Sequence, residues 1–127
     1  ALVELPGSKE YISMYVDNYV ATLTRTLVDP YQEIRKQSCR CMTALCKAHA
    51  AKLELQATNL LAPVLTNLSH AHSAVRVIGL DSMADLIMVA GSSTFDVVLP
   101  VLLKVVHDSI PKVRIALINA ILRVSTQ

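Results

Sequence analysis

Three cysteines and three of the four histidines are the side chains here whose types and spacing could support chemistry. Cys39, Cys41 and Cys46 fall within eight residues of one another, a density that could suggest a thiolate metal site. On a helix of about 3.6 residues per turn, Cys39 and Cys46 share a side while Cys41 points about 160° away. No fourth ligand stands at a suitable spacing. Buried, inert thiols are the simpler reading, with Cys41 at a core position. An odd number of cysteines on one segment is also a poor disulfide framework and fits a reducing compartment. The chain reads as cytosolic or nuclear, and a cytoplasmic location is expected.

His70, His72 and His107 sit near two successive turns and could approach one another. A His-x-His pair in a loop can take up zinc adventitiously, but a surface turn with ordinary titrating histidines explains it equally. The sequence contains no Gly-rich phosphate loop, no Gly-x-Ser-x-Gly elbow and no paired carboxylates at useful spacing. Asn67-Leu68-Ser69 fits the glycosylation pattern by chance, at the end of a helix. Neither enzymatic activity nor a cofactor is expected.

The elements that must position these residues announce themselves through a repeat. Asp29-Pro-Tyr-Gln-Glu-Ile-Arg35, His70-Ala-His-Ser-Ala-Val-Arg76 and Asp108-Ser-Ile-Pro-Lys-Val-Arg114 each place a polar turn residue six positions before an arginine. Arg35, Arg76 and Arg114 are 41 and then 38 residues apart, the period of a helical array. Set in register, the following segments agree: Ser38, Cys41, Met42 and Leu45 match Gly79, Ser82, Met83 and Leu86, then Leu117, Ala120, Ile121 and Val124. Spacings of three and four mark one helical face, so these form the expected core stripe of each second helix. The preceding helices align through Val20, Leu23 and Leu27, then Leu61, Val64 and Leu68, then Leu99, Leu102 and Val106.

Six helices follow, over about 9–28, 31–49, 54–69, 73–90, 95–107 and 111–126. Asp29-Pro30 is expected to cap the second and Ser73 the fourth, with Gly91 ending the fourth. Ser92, Ser93 or Thr94 can cap the fifth. Pro63 and Pro100 fall inside first helices, where they should remove a backbone donor and bend the helix. With 53% hydrophobic residues and 17% charged, the chain can build a real core and is not a disordered class. Its longest apolar stretch, Val97 to Val106, contains Pro100 and Lys104 and is too short to cross a bilayer.

A proline-bent first helix, an Asp-containing turn and Val-Arg opening a second helix resemble the HEAT-repeat (armadillo-like) family across nearly the whole chain. Asp29 with Ile34-Arg35 and Asp108 with Val113-Arg114 meet the pattern; His70 stands where Asp is expected. The resemblance implies an all-α, right-handed α-solenoid of three helical hairpins, with copies at about 8–52, 53–91 and 92–127, cut from a longer array. It also implies an Asp–Arg ladder between neighbouring copies, with His70 in place of aspartate at one rung. Asp29, Arg35, His70, Arg76, Asp108 and Arg114 are thus assigned to the structural motif, each arginine naturally pairing with Asp29 or Asp108 beside its own turn.

A narrower likeness is carried by His70-x-His72-Ser73-x-Val75-Arg76-Val77, Gly91, Asp96-Val97-Val98-Leu99-Pro100 and Asp108-x-x-Pro111-x-Val113-Arg114. These are similar to the HEAT-repeat cytoplasmic assembly factors for axonemal dynein arms. That group is not enzymatic, and the resemblance implies dynein chains or co-chaperones as partners. Karyopherin-like transport or phosphatase-scaffold solenoids remain open. A dinuclear metal hydroxylase of the deoxyhypusine type would use His-Glu dyads, and this sequence contains no His-Glu dipeptide.

Candidate protein-binding residues lie on the second helices, away from the core stripe: Lys36, Arg40 and Lys47, then Asp81, Asp85 and Met88. Lys36 and Arg40 are four apart, a like-charge placement that could attract an acidic partner segment; a merely solvated face is the plainer alternative. A net charge of +2 without interleaved aromatics argues against nucleic acid. Tyr11, Tyr15 and Tyr19 form an i, i+4, i+8 stripe, either interface anchors or a cover for an adjoining repeat. The last helix is apolar nearly all round, so it expects a further neighbour or self-association through that end.

Overall fold

The computed structural model describes residues 9–126, and side chains from Met14 onward. Tyr11 therefore lies on a described helix, but its side chain lies outside the described residues. Every regular element among the described residues is helical: α1 (Lys9–Thr26), α2 (Gln32–Ala48), α3 (Ala50–Leu53), α4 (Ala57–Thr66), α5 (Ser73–Ala90), α6 (Ser93–Val105) and α7 (Pro111–Ser125). They form two layers. In one, α4 stands between α1 and α6; in the other, α5 stands between α2 and α7. The pairs α1/α2, α4/α5 and α6/α7 make a segment of helical solenoid, with the apolar stripes of both layers meeting between them.

The expected helix over 54–69 is not continuous. It is preceded by the single turn α3, begins with a 3-10 turn at Glu54–Gln56, and ends in another at Asn67–Ser69. Leu53 is fully buried while Leu55 points into solvent, so the chain pivots here to pin one leucine under the array. No Gly or Pro marks that pivot. Pro63 and Pro100 do sit inside α4 and α6.

The caps differ from expectation. Neither Asp29 nor Ser73 is an N-cap; Tyr31, His72 and Ile110 occupy those positions, with φ/ψ of −87/121, −88/124 and −94/118, and none makes a side-chain cap bond. The polar residue two places earlier does the local work. Asp29 Oδ1 accepts from the Tyr31 N–H (2.9 Å), His70 Nδ1 from the His72 N–H (3.1 Å), and Asp108 Oδ1 from the Ile110 N–H (2.9 Å). All three turns are therefore one Asx-type turn, with a ring nitrogen standing in for a carboxylate in the second. Gly91 ends α5 at φ +103°, a conformation that favours glycine.

In the first helices the third copy is shifted by one place, burying Val98 and Val105 rather than the aligned Leu99 and Val106, and in the second helices burial follows the aligned stripe with two corrections. Met42 and Met83 are fully enclosed, but Ile121 is 37% exposed, because among the described residues α7 has a second-layer neighbour on one flank only. Cys41 is exposed, whereas its equivalents Ser82 and Ala120 are buried. The small position faces the second helix of the preceding pair: the Ser82 hydroxyl donates to the Cys39 carbonyl of α2 (3.2 Å). No described helix lies on that side of α2. A second close approach occurs at Gly79, where a Cβ would stand 3.1 Å from Asn67 Cβ.

Candidate protein-interaction site

The three motif arginines behave differently from one another. Arg35 donates through Nε to the Asp29 carbonyl (2.7 Å), through Nη2 to the Val28 carbonyl (3.3 Å) and through Nη1 to Asn67 Oδ1 (3.1 Å). Arg76 donates through Nη1 to the His70 and Ala71 carbonyls (2.8 and 3.1 Å) and makes a two-point contact with Asp108, Nε to Oδ2 (2.7 Å) and Nη2 to Oδ1 (3.1 Å). Each thus laces its own turn through carbonyls and grips a side chain 32 residues onward. The expected pairing of an arginine with the aspartate of its own turn does not form. The Arg76 hydrogen bonds hold the Asp108 carboxyl below the usual carboxylate range, with the Ile110 N–H adding to them against the opposing effect of burial. Arg114 is exposed and makes no side-chain hydrogen bond among the described residues.

Asn67 is the residue that sequence reasoning missed. His70 supplies the local turn but cannot supply an anionic rung, since an imidazole is either neutral or cationic; burial, then Arg35, His72 and Arg76, push its pKa down and favour the neutral ring. Asn67, three residues earlier, takes the rung instead. It is fully buried, accepts from Arg35, and donates to the Leu27 and Pro63 carbonyls (3.2 and 3.3 Å). The available signal was an amide in the last turn before the one copy that lacks aspartate.

Away from this edge, α2, α5 and α7 line an open groove of about 840 Å³ floored by α5. Of the candidate binding residues, Arg40, Lys47, Asp81 and Asp85 line it, joined by Arg123, Ile78 and Leu122. Lys36 stands one turn before Arg40 and pairs with Glu33 (3.0 Å). Asp85 is buried and forms an ion pair with Arg123, whose Nη2 also lies 3.9 Å from Met88 Sδ. Arg123 occupies in its pair the place of Asp85 in the preceding pair and of Ala44 in the first, so a second charged rung joins α5 to α7 and has no counterpart between α2 and α5. Desolvation by the groove walls pushes the Asp81 carboxyl upward, Arg123 opposing and Asp85 reinforcing. Arg40 and Lys47 are exposed and form no side-chain hydrogen bond or ion pair among the described residues.

Other candidates stay apart from the groove floor. Tyr15 and Tyr19 are exposed on α1, ring centroids 6.4 Å apart. Cys39 and Cys46 are buried and their thiols raised, Cys46 to about 12 by burial and the nearby Asp85; Cys41 faces solvent on another side. His70 and His72 stack at 5.3 Å.

The family described as dynein axonemal assembly factor 5-like, TPR repeats, matches residues 2–123. Among curated proteins, the chain is similar to dynein axonemal assembly factor 5 of Xenopus laevis, 31% identical over 113 residues, covering 89% of the chain and 13% of the relative. The Mus musculus and Homo sapiens proteins of that name are each 28% identical over 119 residues, covering 94% of the chain and 14% of the relative. The chain therefore spans only 13% to 14% of the length of these relatives. No solved structure matches. The copy spacing of 41 and 38 residues is longer than the roughly 34 residues of a TPR and nearer the HEAT and armadillo range of about 40–47. A two-layer helical array, laced by first-turn arginines and matched over nearly all its length, belongs to the dynein axonemal assembly factor 5-like repeat family.

Proposed function

We propose that this chain is part of a non-catalytic, protein-binding scaffold of HEAT-type repeats, with copies at about 8–52, 53–91 and 92–127, that assists cytoplasmic preassembly of axonemal dynein arms. The match to the assembly-factor family over residues 2–123 carries the reading and favours it over karyopherin-like transport or a phosphatase scaffold. The groove along the second helices supports it, since open solenoids recognise partners along a continuous ridge. No described helix is long and apolar enough to cross a membrane. Dynein chains or their co-chaperones are the partners this reading names. Affinity purification of the parent protein from ciliating cells tests it. Recovery of axonemal dynein chains at stoichiometric levels is expected; recovery of import cargo or a phosphatase, without any dynein chain, would replace it.

A further inference from the structure

We propose that the groove between α2 and α7 docks an acidic, leucine-bearing helical segment of a partner protein, whose carboxylates engage Arg40 and Lys47. The inference rests on the scaffold reading and adds the chemistry of the ligand. Arg40, Thr43 and Lys47 line one wall at helical spacings of three and four residues, so they form one stripe. The two cations stand seven residues apart, about 10 Å along the axis, which matches carboxylates two turns apart on an antiparallel helix. Both are exposed and lack an ionic partner among the described residues, while the third groove cation, Arg123, is already taken by Asp85. The apolar part of the occupant is set by Ile78 on the floor and the exposed Leu122 on the far wall. Asp81, without an ion pair among the described residues, and the carboxylate side of the compensated Asp85–Arg123 pair disfavour a polyphosphate here. A continuous phosphate backbone would run its charge along them, whereas a helix can turn carboxylates to α2 and neutral side chains to α5.

The test is fluorescence anisotropy with the purified chain and a labelled synthetic helix carrying glutamates about two turns apart with leucines between them. Binding that weakens with added salt is expected, with roughly tenfold loss of affinity in the Arg40→Glu/Lys47→Glu double variant and none in Lys104→Glu on the opposite layer. A lysine-for-glutamate version of the peptide should regain affinity for the double variant. Equal binding of the acidic and basic peptides to the wild-type chain, an unaffected double variant, or displacement of the peptide by a single-stranded RNA of equal length would each overturn the proposal. These outcomes leave the scaffold reading standing. That reading fails separately, if the wild-type parent recovers no dynein chain.

Discussion

Removing the Asn67 side chain should damage the array more than removing any exposed charge, and the structure sets the size of the effect. Asn67→Ala deletes the rung to Arg35 and the donor to the Leu27 and Pro63 carbonyls. Arg35 keeps its two turn carbonyls, so the rung itself is worth about 1 kcal/mol, the size of an ordinary hydrogen bond and below the roughly 1.5–3 kcal/mol of an undivided bond to a charged group. The Leu27 carbonyl lies one residue beyond α1 and is left inside the core without its side-chain donor, which costs about 1–3 kcal/mol. The sum is roughly 3 kcal/mol, a large share of a marginal fold's stability. Urea unfolding followed by helical circular dichroism reads it as a lowered midpoint with unchanged slope. A double-mutant cycle with Arg35→Ala isolates the rung at about 1 kcal/mol of coupling. A loss for Asn67→Ala below about 1 kcal/mol, or coupling within the ~0.3 kcal/mol expected of independent sites, would refute the assignment of Asn67 as the replacement rung.

Three further outcomes follow from burial and charge. Because the folded pKa of His70 is depressed, the unfolded chain binds its proton first; stability from the neutral ring is complete above about pH 6.5 and erodes as pH falls toward the folded value. Urea midpoints should therefore fall between about pH 7.5 and 5.5 more steeply for the wild type than for His70→Asp, and parallel slopes would contradict this. Thiol labelling under native conditions should modify Cys41 alone, with Cys39 and Cys46 reacting only on unfolding; rapid labelling of all three would mean the core is open. The exposed Ile115, Ile118 (64% accessible) and Leu122 of α7 should make the isolated chain associate as concentration rises, and sedimentation should show Ile118→Glu shifting it towards monomer.

The helices and their buried stripes could be read from the sequence because burial obeys period: Met42, Met83, Leu45 and Leu86 all fall where spacing placed them. What escaped depended on neighbours rather than on pattern. Cys41 shares its register with Ser82, yet burial there requires a helix on the preceding side, which α2 lacks among the described residues. Asn67 was hidden because a rung is defined by what reaches it from 32 residues upstream, and nothing local distinguishes it from any helix-ending amide. The pivot at Leu53 was hidden for a similar reason, since Ala-Lys-Leu-Glu-Leu-Gln suits an unbroken helix until one leucine must be enclosed. The groove side chains Arg40 and Lys47 were visible as a charged stripe, but their lack of partners, beside an Asp85 that has one, emerged only from the packing.

The Arg123–Asp85 pair, with Ala44 at the matching place on α2, makes the two seams of the second layer mechanically unequal. Between α5 and α7 the helices are pinned by Arg76–Asp108 at their beginnings and by this pair nearer their ends. Between α2 and α5 the Arg35–Asn67 tie and the Ser82 bond hold only the beginning and middle. Beyond those ties Leu45 and Cys46 of α2 and Leu53 of α3 are buried, so the end of that seam beside Lys47 is closed by apolar packing, and added salt should loosen the α5–α7 seam more than this one.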